Sequence, residues 1–334
     1  LAAICTTDKF YNRTPDKRIK LKILFIDTAH PFLWESMIAD GHECIAADTF
    51  SLEEIYSQLH DSNGIVIRSR VNIDKDFIDR STALKFIARC GAGMESIDVE
   101  YASQKGIACL NSPEGNRNAV GEHALGMLLM LFNNLNRADR QVKAGEWIRE
   151  KNRGHELEGK TVGIIGFGNM GSAFAEKLKG FNCRKLAFDK YRSGFANDFV
   201  QEATFEEIKR QANVLSLHIP LTSETEFLIN EKFINSFAKP FYLINTARGK
   251  CVSTHDLVNG IKSGKVLGAC LDVYEYEDAS FEKFSIEAAG LKDNADWIYL
   301  TQSEKVILTP HIAGWTFESL RKIAEVLVKK IRNL

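Results

Sequence analysis

Near the middle of the chain, the stretch GKTVGIIGFGNMGSAFAEKL (159–178) carries an apolar run, Val162 to Ile165, into Gly166-Phe167-Gly168-Asn169-Met170-Gly171 and then into a helical pattern. In GxGxxG the first glycine permits a tight turn and the second lets the backbone approach a pyrophosphate. The third allows close helix–strand packing. The phosphates sit at a helix N-terminus, where free N–H groups point at them. The pattern alone is weak, but here a strand-like run precedes it and KLAFD follows, ending in Asp189, 18 residues past Gly171. That is close to the spacing of the acid that accepts hydrogen bonds from ribose hydroxyls. The stretch reads as a dinucleotide-binding turn, with Gly166, Gly168, Asn169, Met170 and Gly171 at the phosphates and Asp189 at the ribose. A carboxylate there repels a 2′-phosphate, which favours NAD over NADP, although Lys190 and Arg192 soften the repulsion.

Such a turn follows the first strand of its domain, so its mid-chain position requires another domain before it. Residues 21–111 alternate short apolar runs (LKILFID, ECIAAD, GIVIRSR, LKFIAR, IACLN) with helical stretches such as SLEEIYSQLH. Strands alternating with helices predict an α/β fold with a parallel sheet covered on both faces. A mostly uninterrupted helix is expected from about Ala119 to Val142; its EHALGMLLMLFNNL is too apolar for an exposed helix and belongs between domains or subunits. A second alternating series supplies TVGIIG, KLAFD, NVLSLHI, FYLINTA, KVLGACLDV and VILTPH, with helices TFEEIKRQA and THDLVNGIKSG. Residues 278–304 read as loop, and 316–333 as a closing helix. At 334 residues, two domains are the natural expectation.

The formal net charge of −1 gives no global attraction to nucleic acid or an anionic membrane, and no apolar run reaches spanning length. Seven scattered cysteines without a CxxC pair argue against a disulfide framework or a metal site, and for a reducing compartment. The start does not read as a secretory signal, so a cytoplasmic location is expected.

Three further residues fall at or after predicted strand ends, where a doubly wound sheet places its ligands: Arg248 in INTARG, Glu277 in LDVYEYED and His311 in LTPHIAG. A guanidinium grips a carboxylate with two hydrogen bonds. An imidazole exchanges a hydroxyl proton while hydride moves, and a carboxylate beside it orients it. In CGAGMESID, two glycines around Ala92 form a turn whose amides can make an anion nest.

Taken together, GFGNMG with Asp189, LHIPLT, INTARG, LDVYEYE and LTPHIAG, with GAGMESID and NSPEGNRNAVGEHALGMLL before them, resemble the D-isomer-specific 2-hydroxyacid dehydrogenase family over roughly residues 60–318. The resemblance implies two doubly wound parallel-sheet domains, a Rossmann-type NAD domain inserted into a flavodoxin-like substrate domain. The expected division is 1–118 for the first part of the substrate domain, 119–308 for the NAD domain with its dimerisation helix, and 309–334 for the return. It implies a homodimer and a small 2-hydroxy or 2-keto acid as substrate. By motif, Arg248 is the substrate-carboxylate ligand, Glu277 the partner of His311, and His311 the acid/base. Ala92 and Gly93 are backbone ligands of the substrate carboxylate, and Asp272 is the ligand of the nicotinamide amide. His218, Ile219 and Pro220 border the cofactor, with Thr246 and Ala247 beside the nicotinamide.

Two departures stand out. Asp278 follows Glu277 where the family often has proline, which leaves Glu275 as a rival, and the bulky Trp315 is either a packing residue or a wall of the substrate pocket. Arg68 and Arg70 in IRSR offer a second anion-binding group. That segment resembles 3-phosphoglycerate dehydrogenases, although strand alternation must turn one of the two away. Phosphoglycerate is the leading substrate expectation, then glyoxylate or hydroxypyruvate, then D-lactate. A different class on the same fold is the NAD-regulated dimeric corepressor.

Overall fold

The structure is a computed structural model that describes residues 20–277, 285–287 and 289–334. Its first half runs β1 (Lys22–Phe25), α1 (Pro31–Ala39), β2 (Glu43–Ala46), α2 (Leu52–Leu59), β3 (Gly64–Ile67), α3 (Lys75–Arg80), β4 (Phe86–Arg89), α4 (Val99–Gln104) and β5 (Ala108–Leu110). All five strands are parallel in the order β2-β1-β3-β4-β5, which is the flavodoxin-like winding. Two helices then follow, α5 (Pro113–Phe132) and α6 (Leu135–Lys143).

The second half runs β6 (Thr161–Ile165), α7 (Asn169–Lys177), β7 (Arg184–Phe188), β8 (Gln201–Glu202), α8 (Phe205–Gln211), β9 (Val214–Leu217), α9 (Glu231–Asn235) and β10 (Phe241–Asn245). It continues with α10 (Thr254–Lys262), β11 (Val266–Leu271), α11 (Ala295–Gln302), β12 (Val306–Leu308) and α12 (Phe317–Arg332). The sheet order β12-β11-β10-β9-β6-β7-β8 is the Rossmann order with one strand added at the far edge. The order reverses beside β6, and the glycine turn sits at that switch point.

Each sheet has a hydrophobic cluster on either face. Central strands such as β3 and β9 are buried at every residue, as expected of parallel strands covered on both sides. The closing helix α12 returns to the first sheet. Its Ile323, Leu327, Val328 and Ile331 pack with Ile23, Phe25, Leu33 and Val66, each contributing roughly 1.5–3 kcal/mol by burial. The seven-stranded unit is thus inserted into the five-stranded one.

Two sequence expectations are corrected. The helix expected over 119–142 starts earlier, with Pro113 in its first turn, and breaks at Asn133-Asn134. Asn134 takes a left-handed backbone (φ 53°), which asparagine tolerates better than most residues, and α6 begins after it. The stretch 278–304 is not all loop, because α11 occupies part of it with Asn294 as its cap. Asp278 lies outside the described residues. The apolar segment of α5 is buried as anticipated, packed between α7 and α12.

Candidate active site

A cleft of about 620 Å³ opens between the ends of β4 and β10, lined from both sheets. At one side the glycine turn meets α7. Gly166 has φ +88°, and a Cβ there would lie 2.3 Å from the His218 carbonyl oxygen. At Gly168 no atom lies within 4 Å of where a Cβ would be, and this residue caps α7 without a side-chain hydrogen bond. The first amides of the helix therefore face open space, as an anion site requires. Asn169 and Met170 line the cleft there. Gly171 lets the helix pack on the turn, since a Cβ would sit 2.0 Å from the Gly166 carbonyl oxygen.

Asp189 directly follows β7 and is fixed by backbone amides. Oδ2 accepts from Phe167 (2.7 Å), and Oδ1 accepts from Tyr191 (2.9 Å) and Arg192 (3.0 Å). The Arg192 guanidinium donates to the Phe167 carbonyl at 2.6 Å. The cation that softens the site's charge is thereby tied to the turn itself.

On the floor of the cleft, His218, Ile219, Pro220, Thr246, Ala247 and Asp272 all contribute to the lining. His218 Nε2 pairs with Ser216 Oγ at 2.9 Å, while Nδ1 is buried without a partner; burial pushes this imidazole down to about 3, so it is neutral. Thr246 Oγ1 and Asn116 Oδ1 are likewise buried and unpartnered. Buried polar atoms ordinarily find partners, and these three belong to residues that line one cavity. Together with the open α7 terminus, the residues present fit a dinucleotide. Asp272 accepts from Thr309 Oγ1 (2.5 Å) and from the amides of Ile312 and Ala313 (2.9 and 2.8 Å), which pins the segment carrying His311.

His311 Nδ1 lies 2.8 Å from Glu277 Oε2, and Glu277 Oε1 accepts from the Tyr274 amide at 2.9 Å. A carboxylate only accepts, so Nδ1 carries the proton and Nε2 is the nitrogen able to take one from a hydroxyl. Glu275, the rival, instead accepts from the Thr254 amide at 2.8 Å. His311 has φ +54°, a left-handed backbone held by the hydrogen bond its amide donates to the Asp272 carbonyl at 2.8 Å. Arg248 lines the same cleft and donates through Nε to Glu95 Oε1 (2.6 Å) and through Nη1 to the Ala247 carbonyl (2.6 Å). Ala92 and Gly93 line the wall opposite, in a turn held by Asn111 and Ser112.

One sequence-predicted site residue is displaced. Arg70 does not line the cleft: its guanidinium donates to the backbone carbonyls of Ile26 (3.0 and 2.5 Å), Ala47 (2.6 Å) and Phe50 (2.9 Å). It shares with Asp27 the work of shaping the loop after β3, since Asp27 Oδ2 accepts the amides of Arg68, Ser69 and Arg70. Both arginines lie beyond the end of β3, so loop geometry rather than strand alternation separates them. Arg68 does face the cleft, 4.4 Å from the centre of the Trp315 ring, which lines it as well. Sequence reasoning missed Arg89, which closes β4 and lines the cleft with its buried Nε unpartnered. Burial pulls its pKa down, with Arg248 and Arg68 adding to the effect and Glu95 opposing it. It also missed Glu95, inside the quoted GAGMESID, and His123 on α5, 3.0 Å from Thr309 Oγ1.

A glycine turn at the switch point, an acid just past the strand that follows it and a His–Glu pair lining the cleft mark an NAD-binding α/β oxidoreductase. The family model described as D-isomer specific 2-hydroxyacid dehydrogenase, NAD binding domain, matches residues 125–313. A D-3-phosphoglycerate dehydrogenase of Archaeoglobus fulgidus is 32% identical over 94% of this chain and 57% of its own length. A hydroxypyruvate reductase of Thermotoga maritima is 32% identical over 86% of this chain and 89% of its own. Among solved structures, D-lactate dehydrogenase of Aquifex aeolicus, complexed with NAD and lactic acid, superposes with a TM-score of 0.78 at 29% identity, covering 93% of this chain and 94% of that one. The chain belongs to the D-isomer-specific 2-hydroxyacid dehydrogenase family, and its cofactor is NAD. It spans little more than half the length of the phosphoglycerate dehydrogenase it matches. Among the described residues no helix is long and apolar enough to cross a membrane, and no group of three His, Cys, Asp or Glu is placed to hold a metal.

Proposed function

We propose that this protein oxidises or reduces a small D-2-hydroxy/2-keto acid at C2, with 3-phosphoglycerate and 3-phosphohydroxypyruvate as the best-supported pair. NAD, held by the Gly166–Gly171 turn, Asp189 and the floor around Thr246, supplies the hydride acceptor or donor. Arg248 and the amides near Ala92 and Gly93 hold the substrate carboxylate. His311 Nε2 takes the hydroxyl proton in oxidation and returns it in reduction, while Glu277 keeps Nδ1 protonated and fixes the ring. Arg248 polarises the carbonyl in either direction.

The observation that carries the phosphorylated substrate is the convergence of Arg68 and Arg89 on the cleft beside Arg248. Two further guanidiniums suit a group with more negative charge than a single carboxylate. The stack of Trp315 on Arg68 favours a second reading, because it narrows the pocket and suits glyoxylate or hydroxypyruvate. An NADH-oxidation assay with 3-phosphohydroxypyruvate, hydroxypyruvate, glyoxylate and pyruvate separates the two. Under the first reading the phosphorylated acid has the highest kcat/KM, and Arg89→Gln or Arg68→Gln removes that preference by raising KM. A preference for an unphosphorylated acid overturns this substrate while leaving the chemistry in place.

The division at 118/119 and 308/309 and a homodimer belong to the same proposal. Leu135, Val142 and Trp147 are 53%, 55% and 80% exposed on and after α6, an apolar strip suited to a second copy of the chain.

A further inference from the structure

The guanidinium assigned to the substrate carboxylate already holds a carboxylate. Arg248 follows β10 in one sheet and Glu95 follows β4 in the other, and they meet across the cleft at 2.6 Å, Nε to Oε1. A Cβ added to Gly93 would lie 2.2 Å from Glu95 Oε2 and 2.3 Å from Arg248 Nη2. Carboxylate, guanidinium and the Gly93 backbone therefore converge on one point, the point at which Gly93 and Arg248 together would take a substrate carboxylate. Among the described residues, the amides of Ala92 and Gly93 make no hydrogen bond within the protein.

The donor geometry sharpens this. A side-on grip on a carboxylate uses Nε and Nη2 of one guanidinium together. Glu95 takes Nε, and the Ala247 carbonyl takes a proton of Nη1. An incoming acid cannot obtain the side-on grip until Glu95 lets go. Burial by itself would push the Glu95 carboxyl up, but the charge and hydrogen bond of Arg248 outweigh it and hold the group below the usual range. Glu95 is thus an anion at neutral pH and competes as one.

We propose that Glu95 is a positioning residue that keeps the place of the substrate carboxylate on Arg248, and that substrate binding is an exchange of one carboxylate for another. The inference rests on Arg248 being the carboxylate ligand. Glu95 presets the guanidinium in its working orientation and lowers the apparent affinity for every acid that must displace it. Because the two partners come from different sheets, the exchange also replaces a link across the cleft by the substrate itself.

The test uses oxalate, a non-reacting dianion, titrated calorimetrically into the protein loaded with NADH. Glu95→Gln keeps a neutral acceptor for Nε and removes the charge, and Glu95→Ala removes both. Each should bind oxalate about five- to tenfold more tightly than the unaltered chain, the scale of a half-exposed charge-assisted contact. With the accepted keto acid, the gain should fall in KM rather than in kcat. Unchanged affinity in both variants would falsify the exchange, because Glu95 and the acid would then occupy different edges of Arg248. Weaker binding in both, with Gln better than Ala, would also overturn it, leaving Glu95 only to orient the guanidinium. Arg248→Lys provides the separate control. If it retains oxalate affinity, the carboxylate assignment itself fails, whatever the Glu95 variants do.

Discussion

Single side chains set the chemistry here through their backbones as much as through their functional groups. His311 sits at φ +54°, a conformation that costs a non-glycine residue of order 1 kcal/mol or more. Asp272 meets that cost by accepting two amides and a hydroxyl from the surrounding segment, which aims the imidazole at Glu277. Replacing His311 by alanine should lower kcat by roughly 10²- to 10⁴-fold with NADH affinity preserved, measured by steady-state turnover and cofactor fluorescence. His218 gives a pH prediction. Its folded-state pKa, about 3, lies below the ordinary value near 6.5, so below pH 6.5 the unfolded chain binds a proton that the folded chain refuses. Its contribution to stability is present above 6.5 and is lost as pH falls toward 3. In the cofactor-free protein, Tm should therefore drop between pH 6.5 and 4.5, and less steeply in His218→Phe. Equal slopes would show that other groups dominate. At this scale the sequence was readable where a motif carried the residue: Arg248, Glu277 and His311 are brought to one cleft. It was not readable for Arg89 and Glu95, whose significance comes from lying opposite Arg248, on a sheet more than 150 residues away in the chain. Which of Arg68 and Arg70 faces the cleft was left open, because nothing in IRSR reveals that three backbone carbonyls surround the Arg70 guanidinium.

Among the elements, the β6–α7 unit separates folding from binding unusually well. Gly166 and Gly171 are needed for the turn itself, since a Cβ at either strikes backbone. Gly168 combines φ −81° with ψ −147°, at the edge of what a side chain tolerates, and has open space around it. Gly168→Ala should weaken NADH at least tenfold by intruding on the phosphate approach, with a smaller loss of Tm than at Gly171. Gly171→Ala should lower Tm as well. A large loss of stability at Gly168 would show that its role is structural. Element boundaries were legible for the apolar strands, where burial on both faces leaves a continuous hydrophobic run. They failed at Asn133-Asn134, because a left-handed residue inside a strongly helical pattern carries no signature beyond asparagine itself. They failed again at α11, where the polar stretch before Asn294 masked a short helix.

For the whole molecule, two alternating series and one glycine turn predicted two domains with parallel sheets covered on both faces, whereas the winding of each sheet was implied by the family resemblance. The proposed dimer has its own test: light scattering should give twice the chain mass, and charged residues at Val142 and Trp147 should give the chain mass without loss of fold. The route of the chain has a mechanical consequence. The polypeptide passes between the two sheets once on the way out, at α5, and once on the way back, into α12, and these two helices pack against each other. Two bodies joined by a single tether can swivel freely, but two tethers lying side by side act as a door hinge and leave mainly one rotational degree of freedom. Any opening or closing about them would keep the two walls of the cleft in register, parting and rejoining the groups on either side along nearly the same path.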